Sequence, residues 1–109
     1  MVVWWGTPVE ARSAFARLVR DAAIRDAERV KAVRLLSQLQ PSWDEIQPSE
    51  RVRSIAEDLP DRHRLRALDA LQLAAALVWC RERPSHRPFI CFDERLSAAA
   101  AAVGFRVRT

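Results

Sequence analysis

Three carboxylates occupy positions at which α/β proteins often carry out chemistry. Asp69 lies within the mainly apolar segment 65–80, where an unpaired carboxylate is costly unless a cation binds it. Asp93 directly follows the apolar run 89–92, and Glu10 follows a short β-prone run near the start of the chain. Ligands of parallel α/β sheets bind beyond the carboxyl ends of strands. We therefore take Glu10, Asp69 and Asp93 as the candidate site residues.

Each of these acids also has a purely structural explanation. Asp93 is a favourable N-cap for the helix predicted after it, and Glu10 could form a capping box with Thr7. For these two acids, the structural role is sufficient when each is considered alone. Asp69 could form an ion pair with Arg66 or with an arginine of another helix. Both the structural and the cation-binding interpretations of Asp69 stay open on the sequence alone.

The three acids favour a cation site when they are considered together. If the predicted strands are parallel neighbours, all three can meet at one edge of the sheet, where their charges repel unless a cation neutralises them. Oxygen ligands without His or Cys suit Mg²⁺ or Mn²⁺. Such ions activate water and stabilise displacement at phosphorus. The net charge of +4 adds weak support for a nucleic-acid substrate, so we expect phosphodiester hydrolysis.

Several other kinds of site are not indicated. The serines and histidines have no triad context, and two glycines are too few for a phosphate-binding loop. Cys80 and Cys91 stand in apolar surroundings, which predicts buried free thiols and a reducing, cytoplasmic location. No apolar run reaches membrane-spanning length, and the first residues do not resemble a signal peptide. We expect no membrane partner.

The elements that must position the acids alternate between short apolar strands and helices. The patterns predict strands at 2–5, 89–92 and 105–107 and a doubtful strand at 43–46. They also predict a helix that begins at Thr7-Pro8 and includes Val9 to Val19, and helices at 26–40, 50–59, 65–83 and 94–103. Thr7 is the predicted N-cap of the first helix, Pro60 a helix breaker and Gly104 a C-cap. This order predicts an α/β fold with a mainly parallel sheet covered by helices, in a single domain spanning residues 1–109.

Three segments resemble the PIN-domain family, in particular its VapC-like toxin ribonucleases. Residues 2–14 are similar to the family's second strand and following helix, where a Glu is a site residue. Residues 68–74 (LDALQLA) are similar to the helix that carries an acidic site residue, and residues 92–96 (FDERL) to the last acid of the family's site. The resemblance extends over nearly the whole chain.

The resemblance implies a three-layer α/β/α fold and a Mg²⁺- or Mn²⁺-dependent endoribonuclease, the toxin of a type II toxin–antitoxin pair. It implies that Glu10, Asp69 and Asp93 are catalytic and hold the metal. It also implies three partners, namely an RNA substrate, a cognate antitoxin and a second copy of the chain.

The chain departs from the family pattern at its first strand. PIN domains normally begin with a strand that ends in a metal-binding Asp, and no such strand precedes Val2 here. Cys91 also stands where the family often has Thr or Ser. Two alternatives remain. This departure motivates the first, a catalytically impaired PIN-like remnant that binds an antitoxin or itself. The second, which rests on charge and helix content alone, is a basic helical module that binds nucleic acid without chemistry.

Overall fold

The computed structural model describes residues 1–109, which form two compact units, residues 1–45 and 46–109. The first unit contains strand β1 (Val2–Trp4), helix α1 (Thr7–Arg20), helix α2 (Asp26–Leu39) and a 3₁₀ turn (Gln40–Ser42). Strand β2 (Asp44–Ile46) follows at the boundary and pairs with β1 in a two-stranded sheet. The segment that the sequence left undecided at 43–46 is therefore a strand.

The start of α1 differs from the prediction. The N-cap is Gly6, not Thr7, and no side chain caps the helix. The backbone of Gly6 is already helical, so its carbonyl accepts the hydrogen bond from Glu10 N–H at 3.0 Å. Thr7 is thereby the first helical residue, and the predicted capping box between Thr7 and Glu10 does not form.

The first unit has a small buried core. Leu36 on α2 is its one buried hydrophobic residue. Val30 and Leu39 on the same helix are exposed. The helices α1 and α2 pack against each other, and Arg12 donates a 3.5 Å hydrogen bond to Ser37 across that contact.

The second unit contains four helices and two strands. They are α3 (Glu50–Glu57), α4 (Leu59–His63), α5 (Ala67–Trp79), β3 (Pro88–Ile90), α6 (Glu94–Val103) and β4 (Arg106–Arg108). Its core lies where α3 packs on α5, with Val52 and Leu73 almost wholly removed from solvent. Ser49 caps α3 by accepting a hydrogen bond from Val52 N–H.

The strands β3 and β4 form a parallel pair connected by α6. Pro88 pairs with Arg106, and Ile90 pairs with Arg108. Gly104 ends α6 in a left-handed conformation, as the sequence predicts, and the chain can therefore turn directly into β4. A strand–helix–strand crossover of this kind is the elementary unit of α/β folds.

Two helix boundaries predicted in this unit are wrong. Pro60 does not end a helix but lies in the first turn of α4, where its missing N–H has no intrahelical partner to lose. The helix predicted at 65–83 is limited to Ala67–Trp79. Leu65 is buried by tertiary packing outside the helix, and Arg64 takes a left-handed conformation just before it.

The chain therefore mixes helices with short strands, in agreement with the α/β class. The parallel β3–β4 pair agrees with the parallel pairing that the sequence predicts. None of the helices combines the length and the apolar character needed to cross a membrane.

Candidate active site

Asp69 lies in the first turn of α5, three residues after the N-cap Arg66. Asp69 is half-buried, whereas the sequence predicted a carboxylate inside a helix that is buried on most of its faces. α5 starts two residues later than predicted, so Asp69 is the third residue of the helix. The N-terminal end of a helix carries partial positive charge, which favours a carboxylate there.

Asp93 is the N-cap of α6 and follows β3 by three residues. One of its carboxylate oxygens, Oδ1, accepts a 2.8 Å hydrogen bond from Leu96 N–H. Asp93 therefore has the N-cap role that the sequence predicts. The second oxygen, Oδ2, takes part in no hydrogen bond within the chain and can accept a ligand.

The two carboxylates are electrostatically coupled. The pKa of Asp69 is raised above its ordinary value, first because burial disfavours the charged form and then because of the negative charge of Asp93. The guanidinium of Arg66 offsets part of this rise. Asp69 takes part in none of the ion pairs of the chain, so the ion pair weighed as its structural role is not formed.

Asp69 and Asp93 border one open depression on the second unit. Its lining consists of Arg66, Asp69, Phe92, Asp93, Glu94 and Arg95. Two carboxylates therefore lie beside two guanidinium groups at this depression. Phe92 is 83% exposed at this depression, which is unusual for a side chain of its size.

Sequence reasoning missed part of this lining. Glu94 and Arg95 begin α6, where charged residues are normally solvated, and nothing in their spacing separates them from other surface charges. The only available signal was that they immediately follow Asp93 at the end of a strand.

Glu10, the third predicted acid, belongs to the first unit. It lies half-buried in the first turns of α1. Its predicted role at a shared site stays a prediction. The chain contains no group of three or more His, Cys, Asp or Glu side chains that could hold a metal ion. Of the three predicted acids, Asp69 and Asp93 line the same depression on the second unit.

The cysteines are buried free thiols, as the sequence predicts. Cys91 lies directly beside the site residue Asp93, whose backbone N–H points at the sulfur from 3.3 Å. Cys80 is near the end of α5, and its thiol lies 3.5 Å from the Leu77 carbonyl oxygen. Neither thiol belongs to the lining of the depression.

Comparison with known proteins identifies no relative of the chain. No protein-family model matches the chain, and neither does any curated protein or solved structure. The PIN-like resemblance accordingly rests on the three sequence motifs.

Proposed function

We propose that the chain is a Mg²⁺- or Mn²⁺-dependent endoribonuclease of the PIN type, with Asp69 and Asp93 as its metal-binding pair. The observation that carries this proposal is the shared depression, in which two coupled carboxylates lie beside Arg66 and Arg95. The pKa of Asp69 is raised first by burial and then by the negative charge of Asp93, so both the partial burial and the neighbouring carboxylate disfavour a charged Asp69. A divalent cation between the two carboxylates would remove their repulsion.

The chemistry of the donor set fits a hard cation. Both donors are carboxylates, the ligands preferred by Mg²⁺ and Mn²⁺, and no histidine or thiol lines the depression. Asp93 keeps Oδ2 available while Oδ1 caps α6, so cap and ligand roles are compatible. When bound, the ion supplies a lowered pKa for water and neutralises charge on the phosphate.

The remaining residues of the depression would bind and orient the substrate. Arg66 and Arg95 line the depression and would contact the non-bridging oxygens of a phosphodiester, for which guanidinium groups have matching geometry. Glu94 adds a further carboxylate at the lining, suited to holding a water molecule by hydrogen bonding. For Glu10 we retain the predicted role of positioning a water molecule or assisting a metal.

The wider proposal includes the three-layer PIN-like fold, a toxin role, a cognate antitoxin and a cytoplasmic location. Its support is the parallel β3–α6–β4 crossover, the basic net charge and the three sequence motifs. A catalytically impaired remnant and a nucleic-acid-binding module without chemistry are the competing functions. Both are distinguished from the nuclease by the following assay.

The test is cleavage of a mixed RNA pool by the full chain in Mg²⁺ or Mn²⁺, with and without EDTA. The wild type should cleave only with metal, and Asp69→Asn should lose at least about a hundredfold in rate, equivalent to about 3 kcal/mol of transition-state stabilisation. Asp61→Asn serves as the matched control, since Asp61 is an exposed acid on α4 outside the depression. It should cleave like the wild type.

Cleavage that survives EDTA, or an undiminished Asp69→Asn variant, contradicts the proposed roles. A correctly folded wild type that binds no metal and cleaves no RNA favours the impaired remnant. RNA binding without cleavage, unchanged in Asp69→Asn, favours the nucleic-acid-binding module.

A further inference from the structure

Phe92 exposes its ring at the depression although the backbone is held on both sides of it. On one side, the buried Cys91 donates its N–H to the Arg108 carbonyl oxygen at 3.0 Å. On the other side, Asp93 N–H donates to the Cys91 sulfur at 3.3 Å, and the Asp93 carboxylate caps α6. Phe92 is therefore the outward residue of a turn whose two neighbouring residues are fixed by hydrogen bonds.

The ring of Phe92 has no aromatic partner within the chain. Phe89, three residues earlier, packs on Phe105 with the ring centroids 5.4 Å apart. Phe92 takes part in none of the ring contacts of the chain and is 83% exposed. An exposed phenylalanine forgoes the favourable transfer of its ring out of water, so this position gains from a ligand that covers the ring face.

The other residues of the depression restrict the chemistry of that ligand. Arg66 and Arg95 present guanidinium groups, which match a phosphate. Asp69 and Asp93 present carboxylates, which suit a divalent cation. A ligand that meets all of these groups carries a phosphate, accepts a cation beside it and has an apolar ring face. Nucleotides combine the three properties, because the flat faces of their bases stack on aromatic side chains. A peptide with acidic side chains lacks the flat ring face.

Phe92 is also close enough to the carboxylates to contact a nucleotide bound there. It is the immediate neighbour of Asp93, and consecutive Cα atoms across a trans peptide bond are about 3.8 Å apart. A phosphate bound at Asp93 therefore brings the base on an adjoining sugar within reach of the Phe92 ring.

We propose that Phe92 is the base-stacking residue of this site, and that its ring face binds one nucleobase of the RNA next to the phosphodiester held by the arginines. The inference rests on the proposed function in taking RNA as the ligand. Every base has a ring face, so the contact selects a nucleotide whose base is free to leave its neighbours and does not select one particular base. A base inside a duplex must first be unstacked and unpaired, which lowers its affinity.

The test measures the binding of two labelled probes by fluorescence anisotropy, in EDTA and at low ionic strength. One probe is a short oligoadenylate, and the other is a ribose-phosphate chain of the same length that carries no bases. EDTA prevents metal-dependent cleavage, so the result does not depend on nuclease activity. The wild type should bind the oligoadenylate at least about tenfold more tightly than the abasic chain, which is within the usual range for base–aromatic stacking.

Three variants identify the origin of this preference. Phe92→Leu keeps an apolar side chain but removes the ring face, so it should lose at least about tenfold in affinity for the oligoadenylate and bind the abasic chain as the wild type does. Phe92→Trp keeps a ring face and should retain the preference. Ile90→Ala is the matched control, since Ile90 is an exposed apolar residue of β3 outside the depression. It should bind both probes as the wild type does.

Two further readouts separate stacking from a structural role of the ring. Phe92 is exposed, so Phe92→Leu should keep the far-ultraviolet circular-dichroism spectrum of the wild type. The side chain has no oxygen that could bind a metal ion, so calorimetric titration with Mn²⁺ should give the same dissociation constant for Phe92→Leu as for the wild type.

Equal affinity of the wild type for the two probes overturns the proposal, as does a folded wild type that binds neither probe. A Phe92→Leu variant that keeps the preference for the oligoadenylate also overturns it. So does an equal loss of affinity for both probes, because the ring would then support the site without stacking on a base. Failure of the nuclease is a separate result. A wild type that shows the base preference, loses it in Phe92→Leu and cleaves no RNA in Mn²⁺ supports the stacking residue and contradicts the proposed catalysis.

Discussion

Asp93 has two separable roles in this account, a helix cap and a metal ligand, and two substitutions distinguish them. Asp93→Asn keeps a side-chain oxygen that can accept the hydrogen bond from Leu96 N–H, but it removes the negative charge. Asp93→Ala removes both the acceptor and the charge. We expect metal-dependent properties to be lost in both variants and stability to be lost mainly in Asp93→Ala.

The lost N-cap hydrogen bond determines how far Asp93→Ala should lower the free energy of unfolding. Loss of an N-cap acceptor costs about 0.5–2 kcal/mol, and here the 2.8 Å hydrogen bond ends on the backbone of the buried Leu96. We therefore expect Asp93→Ala to lower the free energy of unfolding by about 1–2 kcal/mol. Asp93→Asn loses a favourable charge–dipole interaction of about 0.3–1 kcal/mol, but it also removes the repulsion with Asp69. Its net change should be within about 0.5 kcal/mol of zero.

Urea unfolding followed by far-ultraviolet circular dichroism, in EDTA, measures these differences. In thermal scans, 1 kcal/mol corresponds to a shift in Tm of about 4–8 °C for a unit of this size. Equal destabilisation by Asp93→Asn and Asp93→Ala would refute the separation of cap and charge. An Asp93→Ala variant as stable as the wild type would show that the cap contributes nothing measurable.

Three further predictions concern charge, core and backbone. The pKa of Asp69 is raised in the folded state, so protonated Asp69 stabilises the fold below its ordinary pKa, and this contribution is lost as pH rises through the raised pKa. In EDTA at pH 7, Asp69→Asn should therefore have a higher Tm than the wild type. A difference in Tm that stays constant down to pH 4 would contradict this. Leu73→Ala should cost about 2–5 kcal/mol in urea unfolding because Leu73 is fully buried, whereas the exposed Leu68→Ala should stay within about 0.5 kcal/mol. Gly104→Ala should cost more than about 1 kcal/mol, because φ is +114° and a Cβ would meet Pro84 Cγ at 3.1 Å; a Tm equal to that of the wild type would contradict it.

Capping residues predicted the ends of helices where a single residue determines the backbone conformation. Asp93 and Gly104 bound α6 as predicted, because a carboxylate cap and a left-handed glycine act over a few residues. Pro60 shows the limit of such signals. A proline excludes the interior of a helix but is compatible with its first turn, and only packing decides between the two positions.

Tertiary packing explains the remaining errors of the prediction. The apolar pattern runs from Leu65 into α5, but Leu65 is buried by neighbouring elements and lies outside the helix. Asp69 is half-buried, so the cost of burying its carboxylate is smaller than the apolar pattern suggested. The exposure of Ile90 and Phe92 could not be predicted, because the apolar run 89–92 is typical of a buried strand.

The site itself was predictable only in part. The strand-end position of Asp93 and the apolar context of Asp69 identified both acids, and these residues do line one depression. Their neighbours Glu94 and Arg95 could not be singled out, because charged residues in the first turn of a helix are common. Which acids act in catalysis remains a prediction that residue types and geometry motivate.

Calorimetric titration with Mn²⁺ tests the central claim most directly, because it measures the metal site without requiring a known RNA target. The wild type should bind one ion per chain with a dissociation constant of about micromolar magnitude, near −8 kcal/mol. Asp93→Asn, which keeps the cap and the fold, should lose that binding, and Asp61→Asn should retain it. Binding that is equally tight in Asp93→Asn, or absent from the folded wild type, would contradict the claim that Asp69 and Asp93 form a metal site.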